Sequence, residues 1–353
     1  MTDFEEMIKD YLREANKRFK NIKSKKLQTI YYDDIDILLS IVQNNELDID
    51  VESIFKYTDL LIDIDDIDDK YNDYFLHNYN ECKEVNNKIG DLGVYFDNKY
   101  GEGYYKKFKT SMNLDESVLM CRKFFDFYDK DLADYFKHIV DRGNVFVGGY
   151  SGDMNTSGCT FSLLSQNEPF ILVNNYENIF LADVMIHEVI HSYIEHAFND
   201  KSFEKMCTKL SNGLDEVYSR FGELVFCLYL EETRFNQSDI DTLGLTYDNT
   251  LIEMLFTYNY LLKKCNSDMI LNNFDLYNEY VQNEVYSYGG VLAYHYFDEY
   301  LKNPDKCKDN ITKFSIETKD HDRKYMLNNY GLKEENLGKS RVLTKHMKNH
   351  FKY

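Results

Sequence analysis

The sequence predicts an α+β fold dominated by helices, and three features of it do so. Apolar residues recur at three- and four-residue intervals through most of the 353 residues, the pattern of a buried helix face. Proline, which breaks helices, occurs only at Pro169 and Pro304. One stretch, from Gly143 to about Asn175, is instead rich in Gly, Ser and β-forming residues. Helices, then a small sheet, then helices again is the order of segregated rather than alternating elements.

The N-terminal region, residues 1–142, reads as helical. Phe4, Met7, Ile8, Tyr11, Leu12, Ala15 and Phe19 fall at helical spacing. So do Ile35, Leu38, Leu39 and Val42, and then Tyr71, Tyr74, Phe75, Cys82, Val85 and Ile89. Between the last two sets lies an acidic run, 60–69. It lacks the turn glycine and distal Glu of a calcium loop, and reads as a solvated helix end or loop. Residues 145–147, 159–163 and 170–173 read as short strands, giving a small sheet within 145–173. The glycine-rich segment 148–152 has no following Gly-Lys-Ser/Thr and reads as a turn, not a phosphate loop. Helical periodicity returns after Asn178 and persists, which sets a second region, 143–353.

Composition narrows the function. Hydrophobic residues are 43% and aromatics 16%, too many for a disordered chain. The formal net charge of −20 repels phosphate backbones, so no nucleic-acid partner is expected. The first twenty residues are charged throughout and lack the apolar core of a signal peptide. No run of about 18 apolar residues occurs, so no membrane span is expected. Seven cysteines without CxxC spacing argue against a disulfide framework and for a reducing, cytoplasmic setting.

The chemistry is carried by the stretch around His187-Glu188-Val189-Ile190-His191. Two histidines four apart on a helix share one face, one turn apart, so their nitrogens can meet at one ion. Zn²⁺ takes imidazole nitrogens at about 2.0–2.1 Å. Glu188, beside the first ligand, is placed to act as general base on water. The competing account is two ordinary helix histidines, because HExxH is a short motif.

A catalytic zinc site needs a third protein ligand. Glu195 lies eight residues from His187, about 12 Å along the axis, too far for one ion. Ile194 and Ala197 stand where a metzincin continuation needs Gly and His. A second helix must supply it. Glu216, Ser219, Arg220 and Glu223 form one polar face at i, i+3, i+4 and i+7. That face makes sense if Glu216 binds metal and Glu223 accepts the other N–H of a ligating histidine. The competing account is a solvated face with an Arg220–Glu216 pair.

In these segments the chain resembles the thimet oligopeptidase and oligopeptidase F family of zinc peptidases, of the gluzincin type. Residues 169–174 resemble that family's strand before the motif helix, and residues 183–191 its HExxH helix. Glu216 to Glu223 resembles its E-x-x-S-x-x-x-E segment, 25 residues after His191. Tyr286-Ser287-Tyr288-Gly289-Gly290 resembles its tyrosine-rich helix lining the cleft. The match spans about residues 145–300. Two departures stand out. Ile190 replaces the usual glycine before the second histidine, so looser packing is expected there. Tyr218 stands where proline is usual.

The resemblance implies a zincin-like catalytic domain with a shortened helical N-terminal region. It implies one Zn²⁺ per chain, held by His187, His191 and Glu216. It implies hydrolysis of short peptides by a zinc-activated water with Glu188 as general base. Tyr288 and Tyr286 are the first choices for stabilising the oxyanion, with Tyr280 and His295 behind them. An extended peptide is expected to add to an edge of the small sheet. The alternative is a catalytically silent peptide-binding protein of the same fold.

Overall fold

The computed structural model describes residues 8–10, 12–13, 75–76, 79–100, 107–148, 157–163, 168–199, 213–319 and 321–332. The helix expectations at 35–42, at Tyr71 and Tyr74 and over most of 4–19, the acidic run 60–69 and most of the glycine-rich turn fall outside these residues.

Thirteen elements follow one another among the described residues: α1 Lys83–Tyr100, α2 Leu114–Tyr128, α3 Lys130–Asp141, β1 Val145–Gly148, β2 Gly158–Leu163, β3 Glu168–Asn174, α4 Ile179–Asn199, α5 Glu216–Glu232, α6 Gln237–Lys264, α7 Ser267–Leu271, α8 Phe274–Lys302, α9 Pro304–Glu317 and α10 Arg323–Asn329. The fold is α+β and predominantly helical, as the pattern predicts.

Short polar side chains start these helices, by taking amide protons that the first turn cannot satisfy itself. Asn113 and Glu116 form a reciprocal capping box at α2. Asp129 accepts from the amides of Asp131 and Leu132 at α3. Asn178 accepts from the amide of Phe180 at 2.9 Å as α4 begins, which is why helical periodicity resumes there. Asn236, Asn266, Asn273, Asn303 and Asp322 do the same for α6 to α10. At α5 the flanking Asp215 makes no such bond, because its carboxylate is paired with Lys319.

The sheet has three strands in the order β1-β3-β2. β1 runs parallel to β3, with Val145 opposite Ile171, and β2 runs antiparallel to it, with Cys159 opposite Leu172. The central strand is buried on both faces, at Phe170, Ile171, Leu172 and Val173. α4 packs across β2 and β3. It is apolar nearly all round, with Leu181, Ala182, Met185, Ile186, Val189 and Ile190 fully enclosed, and so forms the centre of the molecule. α5 and α8 pack against each other and α5 against α4. One hydrophobic core runs from Phe75 on the N-terminal side to Leu332, so α1 to α3 share it with the elements after residue 143.

Among the described residues no helix is long and apolar enough to cross a membrane.

Candidate metal centre

The two histidines come from the middle of α4 and the glutamates from α5. His187 Nε2 lies 3.1 Å from His191 Nε2. Glu216 completes a triangle, with Oε2 at 3.2 Å from His187 Nε2 and Oε1 at 3.3 Å from His191 Nε2. Ligand atoms held at about 2.0–2.1 Å by one tetrahedral ion stand about 3.3 Å apart. The three side chains therefore converge at the spacing a zinc-type ion demands, and their donor set of two imidazoles and a carboxylate suits such an ion.

Glu223 lies behind His187. Its Oε1 stands 2.6 Å from His187 Nδ1, which directs Nε2 to the triangle. Burial alone would lower the His187 pKa, but the Glu216 and Glu223 carboxylates prevail and raise it well above its ordinary value. Burial likewise works against Glu216, and the two imidazoles hold its carboxyl well below the usual range. Glu216 is further held by Ser219, whose hydroxyl reaches its carbonyl at 3.1 Å and its Oε2 at 3.3 Å.

Glu188 is 7% exposed, beside the triangle. Burial raises its pKa, against the pull of His187 and His191. The neighbouring edge strand β2 comes close, and its approach depends on Gly158. A Cβ at Gly158 would stand 2.8 Å from Val184 Cγ1 and 3.1 Å from Glu188 Cγ. The Thr160 hydroxyl donates to the Glu188 carbonyl at 2.7 Å, tying β2 to α4 at this point.

The tyrosines divide. Tyr286 faces the centre: its ring lies 4.9 Å from the Arg220 guanidinium, and the Glu216 carboxylate, ahead of burial, raises its pKa. Tyr288 is not brought there. It is fully buried on another side of α8, where its hydroxyl donates to Asn86 at 2.6 Å and its ring packs under Arg323. Residues two apart on a helix point about 200° apart, so the two cannot serve one site. Tyr280 belongs to the Tyr288 side, donating to Glu284 at 3.1 Å, and His295 sits against Tyr296, where burial lowers its pKa.

The polar face of α5 is not solvated. The Glu216 and Glu223 side chains are 12% and 6% exposed, and Arg220 pairs with Glu223 rather than Glu216. The expected loose packing at Ile190 is also corrected. Its Cδ1 lies 2.2 Å from where a Cβ of Gly222 would be, so a small residue on the facing helix makes room for the isoleucine and α4 and α5 stay close. Tyr218 is buried, with Tyr128 and Thr312 hydroxyls donating to its own at 3.2 Å each. Sequence reasoning missed Ser219 and Gly289 as site residues. A Cβ at Gly289 would overlap the Glu216 side chain and stand 3.1 Å from its carbonyl carbon. It missed Asp183 too, which takes a hydrogen bond from Tyr247 and whose pKa is raised to about 8 by burial and by Glu223. Only the i−4 spacing of Asp183 from His187 could have flagged it.

A helical α+β fold that brings two histidines of one helix and a glutamate of the next to a single point defines the class. Solved structures carry the same fold. One assigned as oligoendopeptidase F, from Bacillus anthracis str. Ames, matches with a TM-score of 0.55 at 13% identity, over 92% of this chain and 63% of that one. A second assigned as oligoendopeptidase F matches at 0.50 and 11% identity, over 98% and 66%. One assigned as a peptidase from Chlamydophila abortus matches at 0.53 and 13% identity, over 80% and 56%. The fold is thus the oligopeptidase F-like one, in a chain that spans less than two thirds of the first structure's length. No family model and no curated protein matches the sequence.

Proposed function

We propose that the chain is a zinc-dependent metallopeptidase that hydrolyses short peptides. The observation that carries this reading is the convergence of His187, His191 and Glu216 at zinc-ligand spacing beside a buried Glu188. Bound there, zinc supplies Lewis-acid polarisation of the scissile carbonyl and acidifies water toward a pKa of about 7. Glu188 takes the proton of the attacking water and returns it to the leaving amine; its raised pKa suits both steps. Tyr286 donates its hydroxyl to the developing oxyanion, a role supported by its place beside Glu216 and Arg220.

The peptide lies extended along the outer edge of β2, the strand that runs past Glu188. Backbone hydrogen bonds there hold it with little side-chain discrimination. Helices α1 to α3, within residues 1–142, serve as a lid or a wall of the cleft ahead of the catalytic region, 143–353. A cytoplasmic setting is supported by free cysteines such as Cys121 and Cys307, enclosed singly in the core.

Elemental analysis of the purified protein, with Glu216→Ala beside it, tests the reading. About one zinc per wild-type chain, lost in the variant, and cleavage of quenched peptides of graded length are the expected results. A wild type that takes up no zinc on reconstitution would overturn it.

A further inference from the structure

The mechanism above leaves Arg220 without a task. Its side chain is 18% exposed, on the same face of α5 as the two glutamates. Its Nη1 reaches Glu223 Oε2 at 2.8 Å and Oε1 at 3.2 Å. The same Oε1 meets His187 Nδ1 at 2.6 Å. Its guanidinium carbon also lies over the Tyr286 ring, 4.9 Å from the ring centre. The group is thus held from two sides, by a carboxylate and by an aromatic face.

Glu223 needs such a partner. It is 5% exposed, in a region that also buries Asp183 and Glu188. Without a cation against it, a carboxylate there turns to another donor or draws in solvent, and its hold on the imidazole goes with it.

We propose that Arg220 is a positioning residue for the metal centre: it fixes Glu223, and through Glu223 the ring of His187, in the orientation that ligates the ion. This rests on the zinc reading of the preceding subsection. It differs from an i,i+3 pair that merely staples α5, because the carboxylate that Arg220 holds is itself bonded to His187 of α4.

Zinc affinity measured by chelator competition tests it, with no need for turnover. Arg220→Met is expected to bind zinc about 10–100-fold more weakly than wild type, the usual effect of losing a group that orients a ligand. Arg220→Lys, which keeps the charge but loses the flat fork, is expected between the two. Glu223→Gln alone and Arg220→Met/Glu223→Gln together are expected to bind alike, since Arg220 acts only through Glu223. Cobalt(II) loaded in place of zinc is expected to show a shifted visible spectrum in Arg220→Met, a change that a purely structural role would not cause. If Arg220→Met does not fold, the Lys variant and its double with Glu223→Gln carry the same comparison. Unchanged affinity in the single variants, or losses that simply multiply in the double, would overturn the proposal. A wild type that binds no zinc would instead overturn the peptidase reading.

Discussion

Glu188 and Tyr286 stand nearest the proposed chemistry, and each offers a clean substitution. Glu188→Gln keeps the shape and removes the base, so zinc content should stay the same while kcat falls about 10²–10⁴-fold. Hydrolysis at the wild-type rate would remove Glu188 from its role. The tyrosines give a contrast that the sequence could not draw. Tyr286→Phe should lower kcat by about 10²–10³-fold at unchanged stability, as the loss of an oxyanion donor does. Tyr288→Phe should leave kcat alone and instead cost about 1–3 kcal/mol, because Asn86 loses its buried donor. Paired urea melts and kinetics would separate the two, and the reverse pattern would mean that the face of α8 turned to the metal has been misassigned.

Between helices, the spacing of His187, His191 and Glu216 depends on two glycines. Gly289 lets α8 rest against Glu216, where an added methyl meets the backbone of α5 as well as a side chain. Alanine there would gain about 1 kcal/mol of helix propensity. The overlap with a rigid neighbour outweighs that gain, so Gly289→Ala should destabilise the fold by about 1–3 kcal/mol and weaken zinc binding. A Cβ at Gly222 would clash with the terminal methyl of Ile190 and stand in ordinary contact with Ile186. Gly222→Ala should therefore cost less, and Ile190→Val, which removes that methyl, should recover part of the loss. A double-mutant cycle by chemical denaturation checks this; strict additivity would show that the two residues do not share the space.

Across the whole molecule, a buried ion pair ties distant segments together on the side of α8 opposite the candidate metal centre. Arg323 of α10 is fully enclosed, with Nη2 at 2.7 Å from Glu284 of α8 and Nη1 at 3.1 Å from Asn86 of α1. Tyr258 of α6 donates to the same glutamate at 2.9 Å. Three helices, α6, α8 and α10, thus meet on one carboxylate, and α1 joins them through Arg323. Removing the cation alone leaves Glu284 buried and uncompensated, so Arg323→Met should destabilise the protein by about 3–5 kcal/mol in urea melts. Arg323→Met with Glu284→Leu should recover much of this, and equal loss in both would show that packing rather than charge sets the cost.

Local spacing carried much of this into the sequence. His187, Glu188 and His191 are legible because one helical turn decides their geometry, and the helix itself is announced by apolar periodicity and the Asn178 cap. The three strands are legible to within two residues because turn residues and alternating β-formers mark them. Glu216 and Glu223 show as a polar face on an otherwise apolar helix. Arg220 has a glutamate at i−4 and another at i+3, and both partners obey helix geometry. Only the packing of Glu223 against His187 chooses between them. Which of Tyr286 and Tyr288 faces the centre depends on the rotation of α8 about its axis, set by Gly289 of α8 against Glu216 of α5 and by Arg323 on the far side. The exchange of a small residue between Ile190 and Gly222 spans two helices 32 residues apart in the chain. The sequence by itself determined the elements and the donor residues, because those follow from contacts within a few residues. Which side chains share a face across helices was decided only by the tertiary structure, because helix rotation and approach are fixed by packing between segments that no local spacing encodes.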